Sequence, residues 1–167
     1  MSKRELKKYL HTLNKELLEE QVLDLYERFK DVKVYYNFVF NPREDKLLEE
    51  CKFKISREYF PAGNRKPKAR RSVAQKYIKH FIRLGVDPAL IADIMLYNLE
   101  TAQAYSAGKV IRHEAFFISI MRSFKEAGAF IESHGLSQAY DSRLQLIVEN
   151  AWKQDWFNKM AFESVRL

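Results

Sequence analysis

The sequence predicts an all-α fold, and three features carry that reading. Helix-start signals recur along the chain, apolar residues fall at three- and four-residue intervals, and Asn-Gly or Asp-Gly turns and sustained polar–apolar alternation are both missing. The expected architecture is an irregular bundle of about seven or eight helices, with stacked helical hairpins as the alternative. No fixed repeat period runs through the chain, which favours the bundle.

Each helix can be placed by its boundary chemistry. Ser2 and Glu5 form a capping box, the hydroxyl and the carboxylate each accepting one of the free N–H groups at a helix start. Asn14 caps a second helix with the stripe Leu17, Leu18, Val22, Leu25, Tyr26 and Phe29. Asp31 is expected to cap a third, from Val32 to Phe40. That stretch is rich in β-formers, but Lys30, Lys33 and Asn37 set a polar face at helical spacing.

Asn41-Pro42 starts a fourth helix, proline being at ease where its missing N–H has no partner to lose. Its stripe is Leu47, Leu48, Cys51, Ile55 and Tyr59, so the Cys51 thiol is expected to pack in the core rather than act as a nucleophile. Residues 61–67, with two prolines and a glycine, read as a loop. Ser72 and Gln75 suggest a second capping box, opening a helix with Val73, Tyr77, Ile78, Phe81 and Ile82 inward and Gly85 at its end.

Asp87-Pro88 starts the next helix, with Ile91, Ile94, Met95, Leu99 and Ala102 inward, ending near Gly108. The tight Gly-Val-Asp turn makes these two helices an antiparallel hairpin. A long helix from about Ile111 to His134 follows, stopped at Gly135, and a last pattern runs from Leu136 to the end. There Trp152, Trp156 and Met160 lie at i, i+4, i+8; that stripe is expected in the core, or on a partner surface if exposed.

The 167 residues suit one helical domain, residues 1–167, with a basic loop at 61–71, and 47% hydrophobic residues are enough for a core. One cysteine excludes an intrachain disulfide and fits a reducing compartment. Met1-Ser2-Lys3-Arg4-Glu5 leads into charged helix, so no signal peptide is expected, and no window is apolar enough for a membrane span. The expected location is the cytoplasm, with no membrane partner.

The net charge of +7 has one source. Residues 59–86 hold eight Lys and Arg and no acid, leaving 21 basic and 22 acidic residues elsewhere.

Several segments carry a likeness. Val32-Lys33-x-Tyr35-Tyr36, Asn41-Pro42-x-Glu44-Asp45-Lys46-Leu47-Leu48, Glu58-Tyr59-Phe60-Pro61 and Asp87-Pro88-x-Leu90-Ile91-Ala92-Asp93-x-Met95-Leu96-Tyr97 are the segments that bear it. The chain thereby resembles a family of small bacterial proteins of unknown function, from about residue 3 to residue 135 and more weakly beyond. The resemblance implies a bacterial cytoplasmic protein and no assigned activity.

The strongest functional candidate is the basic segment. Arg65, Lys66, Lys68, Arg70 and Arg71 precede a helix N-terminus, with Lys76 one turn inside it. Guanidinium forks and free helix N–H groups both suit phosphate oxygens. Tyr59, Phe60 and Tyr77 are near enough in sequence to stack on bases. The competing reading neutralises part of this charge within the hairpin: Lys79 would meet Asp93, and the start of its helix would meet Glu100.

Other chemistry is thinly supported. His11, His80, His113 and His134 have none of the usual metal-ligand spacings, and Glu100, His113 and Glu114 are the weak candidates for a metal site. No nucleophile elbow, phosphate-cradling glycine loop or dinucleotide fingerprint occurs, and no cofactor is expected. The first functional reading is therefore a non-enzymatic helical protein acting through protein contacts or self-association. The alternatives are a polyanion-binding module, for nucleic acid or phosphate, using residues 65–83, and an enzyme or metal protein with a site around Glu100 and His113.

Overall fold

The computed structural model describes residues 2–164 and is all-α, with no strand among them. Its helices are α1 (Lys3–Leu10), α2 (Lys15–Arg28), α3 (Lys30–Phe40), α4 (Glu44–Tyr59), α5 (Arg71–Leu84), α6 (Pro88–Ser106), α7 (Glu114–Ser133), α8 (Ser137–Lys153) and the short α9 (Lys159–Glu163). The chain forms two compact units, Met1–Arg43 and Glu44–Leu167.

In the first unit the expected caps at Ser2 and Asn14 are present. Ser2 Oγ accepts from Glu5 N at 3.3 Å, Glu5 Oε2 accepts from Ser2 N at 2.6 Å, and Asn14 Oδ1 accepts from Leu17 N at 2.9 Å. The cap at Asp31 is not. The third helix begins two residues earlier, at Lys30, with Phe29 as its N-cap and no side-chain bond, and Asp31 lies in the first turn. A carboxylate there still favours the helix through the positive end of its dipole. Helices α2 and α3 pack together through Tyr26, whose hydroxyl donates to Asn37 Oδ1 at 3.1 Å and whose ring meets Tyr36 edge-on.

The second unit is built around α6. Eleven of its 19 residues are buried, and it packs against α4, α5, α7 and α8. Its two carboxylates lie on the one partly solvated stripe the helix keeps, and each takes partners from neighbouring helices. Asp93 takes Lys52 of α4 at 2.6 Å and Arg143 of α8 at 2.6 Å. Glu100 takes the other edge of the same guanidinium at 2.8 and 3.0 Å. Burial pushes the Asp93 carboxyl up, but hydrogen bonds and charges from Lys52 and Arg143 outweigh it and leave it below the ordinary aspartate value.

The hairpin of α5 and α6 forms as expected, the two helices touching across the turn at residues 85–87. Gly85, at φ 73°, supplies the left-handed residue that stops α5, while Val86 N donates to Phe81 O at 3.2 Å and its side chain is buried beneath the turn. The ion pairs expected inside this hairpin do not form, because Lys52 and Arg143 already hold Asp93 and Glu100. The inward face of α5 is also turned from its expected setting: Ala74, Ile78, Phe81 and Leu84 are buried, and Ile82 is half exposed.

The C-terminal stripe divides. A break after α8, with Asp155 at φ 50°, turns Trp156 into the core while Trp152 and Met160 stay exposed. Trp156 lies 5.1 Å from Phe117 and 5.5 Å from Phe162, ring centre to ring centre. One helix running through the stripe would have put all three residues on one face; the break separates them.

Two outcomes follow. Cys51 is fully buried and burial pushes its thiol up to about 12, so a thiol reagent at pH 8 should label it only at the rate of native-state opening. Immediate stoichiometric labelling of folded protein would contradict this. Arg143→Ala leaves Asp93 and Glu100 partly buried without that guanidinium and should cost about 1–3 kcal/mol, a fall in Tm of about 3–10 °C. Asp93 has a depressed folded value, so its contribution is complete above the unfolded aspartate value of about 3.9 and is lost as pH falls through the lower folded one. The gap in Tm between wild type and variant should therefore narrow below about pH 4 in calorimetry.

Candidate polyanion interface

Glu58, in the last turn of α4, organises the basic loop. Its backbone carbonyl accepts from Lys68 N at 3.0 Å and Ala69 N at 2.9 Å, and its carboxylate accepts the Arg70 guanidinium at 2.9 and 2.8 Å. The hydrogen bond from Arg70 holds the Glu58 carboxyl below its ordinary value, against the upward push of burial. Ala69 is held at φ 47°, a strained setting for a residue with a Cβ, so the clamp fixes the chain sharply just before α5.

The five cations of residues 65–71 thus fall into two groups. Arg70 is tied to Glu58, while Arg71 reaches α7, donating to Ser123 Oγ at 2.7 Å and pairing with Glu126 at 2.5 Å. Arg65, Lys66 and Lys68 are exposed and have no acidic partner among the described residues; nor has Lys76 on α5. The expected Ser72–Gln75 capping box is not formed. Helix α5 starts at Arg71 without a side-chain cap, and Gln75 instead donates to Glu126 Oε2 at 2.7 Å. Two acceptors on α7, Ser123 and Glu126, draw Arg71 and Gln75 across the bundle and away from the helix end.

Two grooves adjoin the loop. The first, about 670 Å³, is lined by Lys54 and Arg57 of α4, Lys76, Tyr77 and His80 of α5, and the clamped pair Glu58 and Arg70. The second, about 590 Å³, is lined by Lys68, Lys109, Arg112 and His113, with Tyr105 and Phe116, and has no carboxylate in its lining. Lys109 Nζ lies 3.8 Å from the Tyr105 ring centre and 6.0 Å from that of Phe60, which is half exposed. Each groove also meets a helix N-terminus without a side-chain cap: Ser72 and Val73 of α5 line the first, and His113 and Ala115 at the start of α7 line the second. The positive dipole ends of both helices thus adjoin the same spaces as the cations.

Of the aromatic residues expected here, Tyr77 and Phe60 are accessible, while Tyr59 is buried and packs on Tyr105. Lys54, Arg57, Lys109 and Arg112 belong to the surface but were not legible as such. They lie outside the acid-free stretch, Lys54 and Arg57 interspersed with the acids of α4, and only the i, i+3 spacing of that pair hinted at a shared face.

The metal candidates are dispersed. Glu100 is held by Arg143 in the α6–α8 contact, His113 is the exposed N-cap of α7, and Glu114 lies in its first turn. Among the described residues no three His, Cys, Asp or Glu side chains are grouped as a metal would need.

The Glu58 clamp has a direct readout. Glu58→Ala should raise the rate of tryptic cleavage within residues 65–70 roughly 3- to 10-fold with overall helicity unchanged, since cleavage follows the population of the opened loop. An unchanged rate would mean that the backbone bonds alone hold the loop.

No curated protein and no solved structure matches this chain. A family model does, over residues 1–166, and the chain belongs to the family it describes, a family of unknown function (DUF6155).

Proposed function

We propose that this protein is a non-enzymatic binder of phosphate-rich polyanions, with single-stranded nucleic acid as the ligand class its surface suits best. The observation that carries this reading is the pair of cation-lined grooves beside the basic loop, each met by an uncapped helix N-terminus. The carboxylates best placed in sequence to neutralise α5, Asp93 and Glu100, are held by Lys52 and Arg143, which leaves Lys76, Lys79 and Arg83 without an ion-pair partner among the described residues.

Aromatic rings beside these cations favour a single strand over a duplex. Phe60 and Tyr77 offer faces for unpaired bases, and every base has a π-face, so binding would tolerate many sequences. The lone buried thiol and the resemblance to bacterial proteins support a place in the bacterial cytoplasm.

The test is a salt titration of a fluorescent single-stranded oligonucleotide. With about 0.7 unit of log–log slope per phosphate contact, replacing Arg65, Lys66, Lys76 and Lys109 by Ala should flatten the slope by roughly 3 while leaving helicity intact. Arg70 and Arg71 are left out because they also hold the loop and α7 in place. No binding by the wild type at about 50 mM salt, or the same slope for the variant, would overturn the reading.

A further inference from the structure

The N-terminal unit, Met1–Arg43, has no buried side chain among its described residues. Its helices are 8, 14 and 11 residues long, lengths that are marginal in water without packing. A unit of this size without disulfide or metal generally depends on association, and the unit has no cysteine. Its apolar residues are open to solvent: Leu23 is 63% exposed, Phe29 53% and Phe40 75%.

Charge narrows what can cover them. A groove of about 660 Å³ runs along α2, with Tyr9, Leu13, Leu17 and Leu23 as apolar lining and Glu20, Asp24 and Glu27 as acids. Asp24 is paired with Arg28, while Glu20 and Glu27 have no ion-pair partner among the described residues. The occupant this groove suits is a short basic amphipathic helix. Helix α1 is such an element. It carries Lys3, Arg4, Lys7 and Lys8 beside Leu6 and Leu10, its one acid, Glu5, is engaged by Ser2, and none of its cations is ion-paired among the described residues. The chain's own α1 already supplies Tyr9 to that groove and cannot also fill it.

We infer that the N-terminal unit is a self-association module, in which α1 of one copy occupies the acidic-rimmed apolar groove of a second copy and receives the second copy's α1 in return. Such an exchange is isologous, the same patch serving both partners, as a two-fold dimer requires. It covers apolar surface on both copies and sets four cations of one helix against acids of the other. The dimer does not depend on the polyanion-binding reading and stands or falls on its own test.

Sedimentation velocity on the full chain is that test. The wild type should sediment at twice its 19.9 kDa monomer mass at about 10 µM. Lys3→Glu/Lys7→Glu/Lys8→Glu and Glu20→Lys/Glu27→Lys should each weaken the dimer roughly ten-fold or more through like-charge opposition. Mixing the two charge-reversed proteins should restore the dimer mass, because both contacts of the mixed pair are again complementary. Leu23→Glu should also give monomer with unchanged helicity, since Leu23 has little packing to lose within the monomer. A wild type that stays monomeric at about 100 µM would overturn the inference and assign the apolar surface to the rest of the same chain or to another protein. Charge-reversed variants that dimerise like wild type, or a mixture that fails to re-form the dimer, would overturn it equally.

Discussion

The packing of α6 against four neighbours is the constraint on which the second unit depends. A helix packed against four neighbours leaves the Asp93 and Glu100 side chains only 28% and 36% exposed, so pairing offsets their partial desolvation. Arg143 serves both with one planar guanidinium, whose two edges suit two acceptors seven residues apart on one face, and Lys52 completes the set from the opposite helix. The network therefore fixes α4, α6 and α8 in register. It also decides the electrostatics of the surface: acids committed to α4 and α8 are not available to α5. The basic character of the outer face follows from how the core solves its own desolvation problem.

The same reasoning separates structural from available cations. Arg70 and Arg71 lie in the densest basic run of the chain, yet each is a positioning group, one locking the loop onto Glu58 and the other fastening the start of α5 to α7. Their pairing leaves the α5 N-terminus without a side-chain cap, since a guanidinium accepts no hydrogen bond. It orders the backbone between Lys68 and Lys76, which would lower the entropic cost of meeting a ligand there.

The sequence was most informative where a local signal acts alone. Caps at Ser2 and Asn14, the stop at Gly85, the start at Asp87-Pro88 and the buried stripe through Cys51 all depend on neighbours within one or two turns, and all are found in the structure. Other boundaries moved: α4 begins at Glu44 rather than at the expected Asn41-Pro42 start. Asp31, Ser72 and the Trp152–Met160 stripe each had a sound local reading that tertiary partners or chain entry replaced: Phe29 starts α3, Glu126 takes Gln75, and the turn at Asp155 separates Trp156 from its stripe. The candidate site was half legible. A run of cations without acids is visible in one dimension, whereas Lys54, Arg57, Lys109 and Arg112 join it only when α4 and the α6–α7 connection are folded beside the loop.

The two units divide electrostatic labour in a way that bears on how a modest binding surface becomes effective. Each groove of the second unit supplies three or four cations with one or two rings, a contact set that would give weak, salt-sensitive affinity on its own. A dimer built through the first unit carries two such surfaces on one particle, and a polyanion long enough to reach both is held with an effective local concentration rather than a bulk one. Both proposed associations should weaken with salt, but not equally. The proposed dimer contact would have an apolar floor in Leu13, Leu17 and Leu23 that screening does not touch, whereas the proposed polyanion contact would be charge with limited stacking. Rising ionic strength should therefore release the polyanion before it separates the copies, so the order of the two transitions distinguishes a dimer that persists unloaded from one assembled by its ligand.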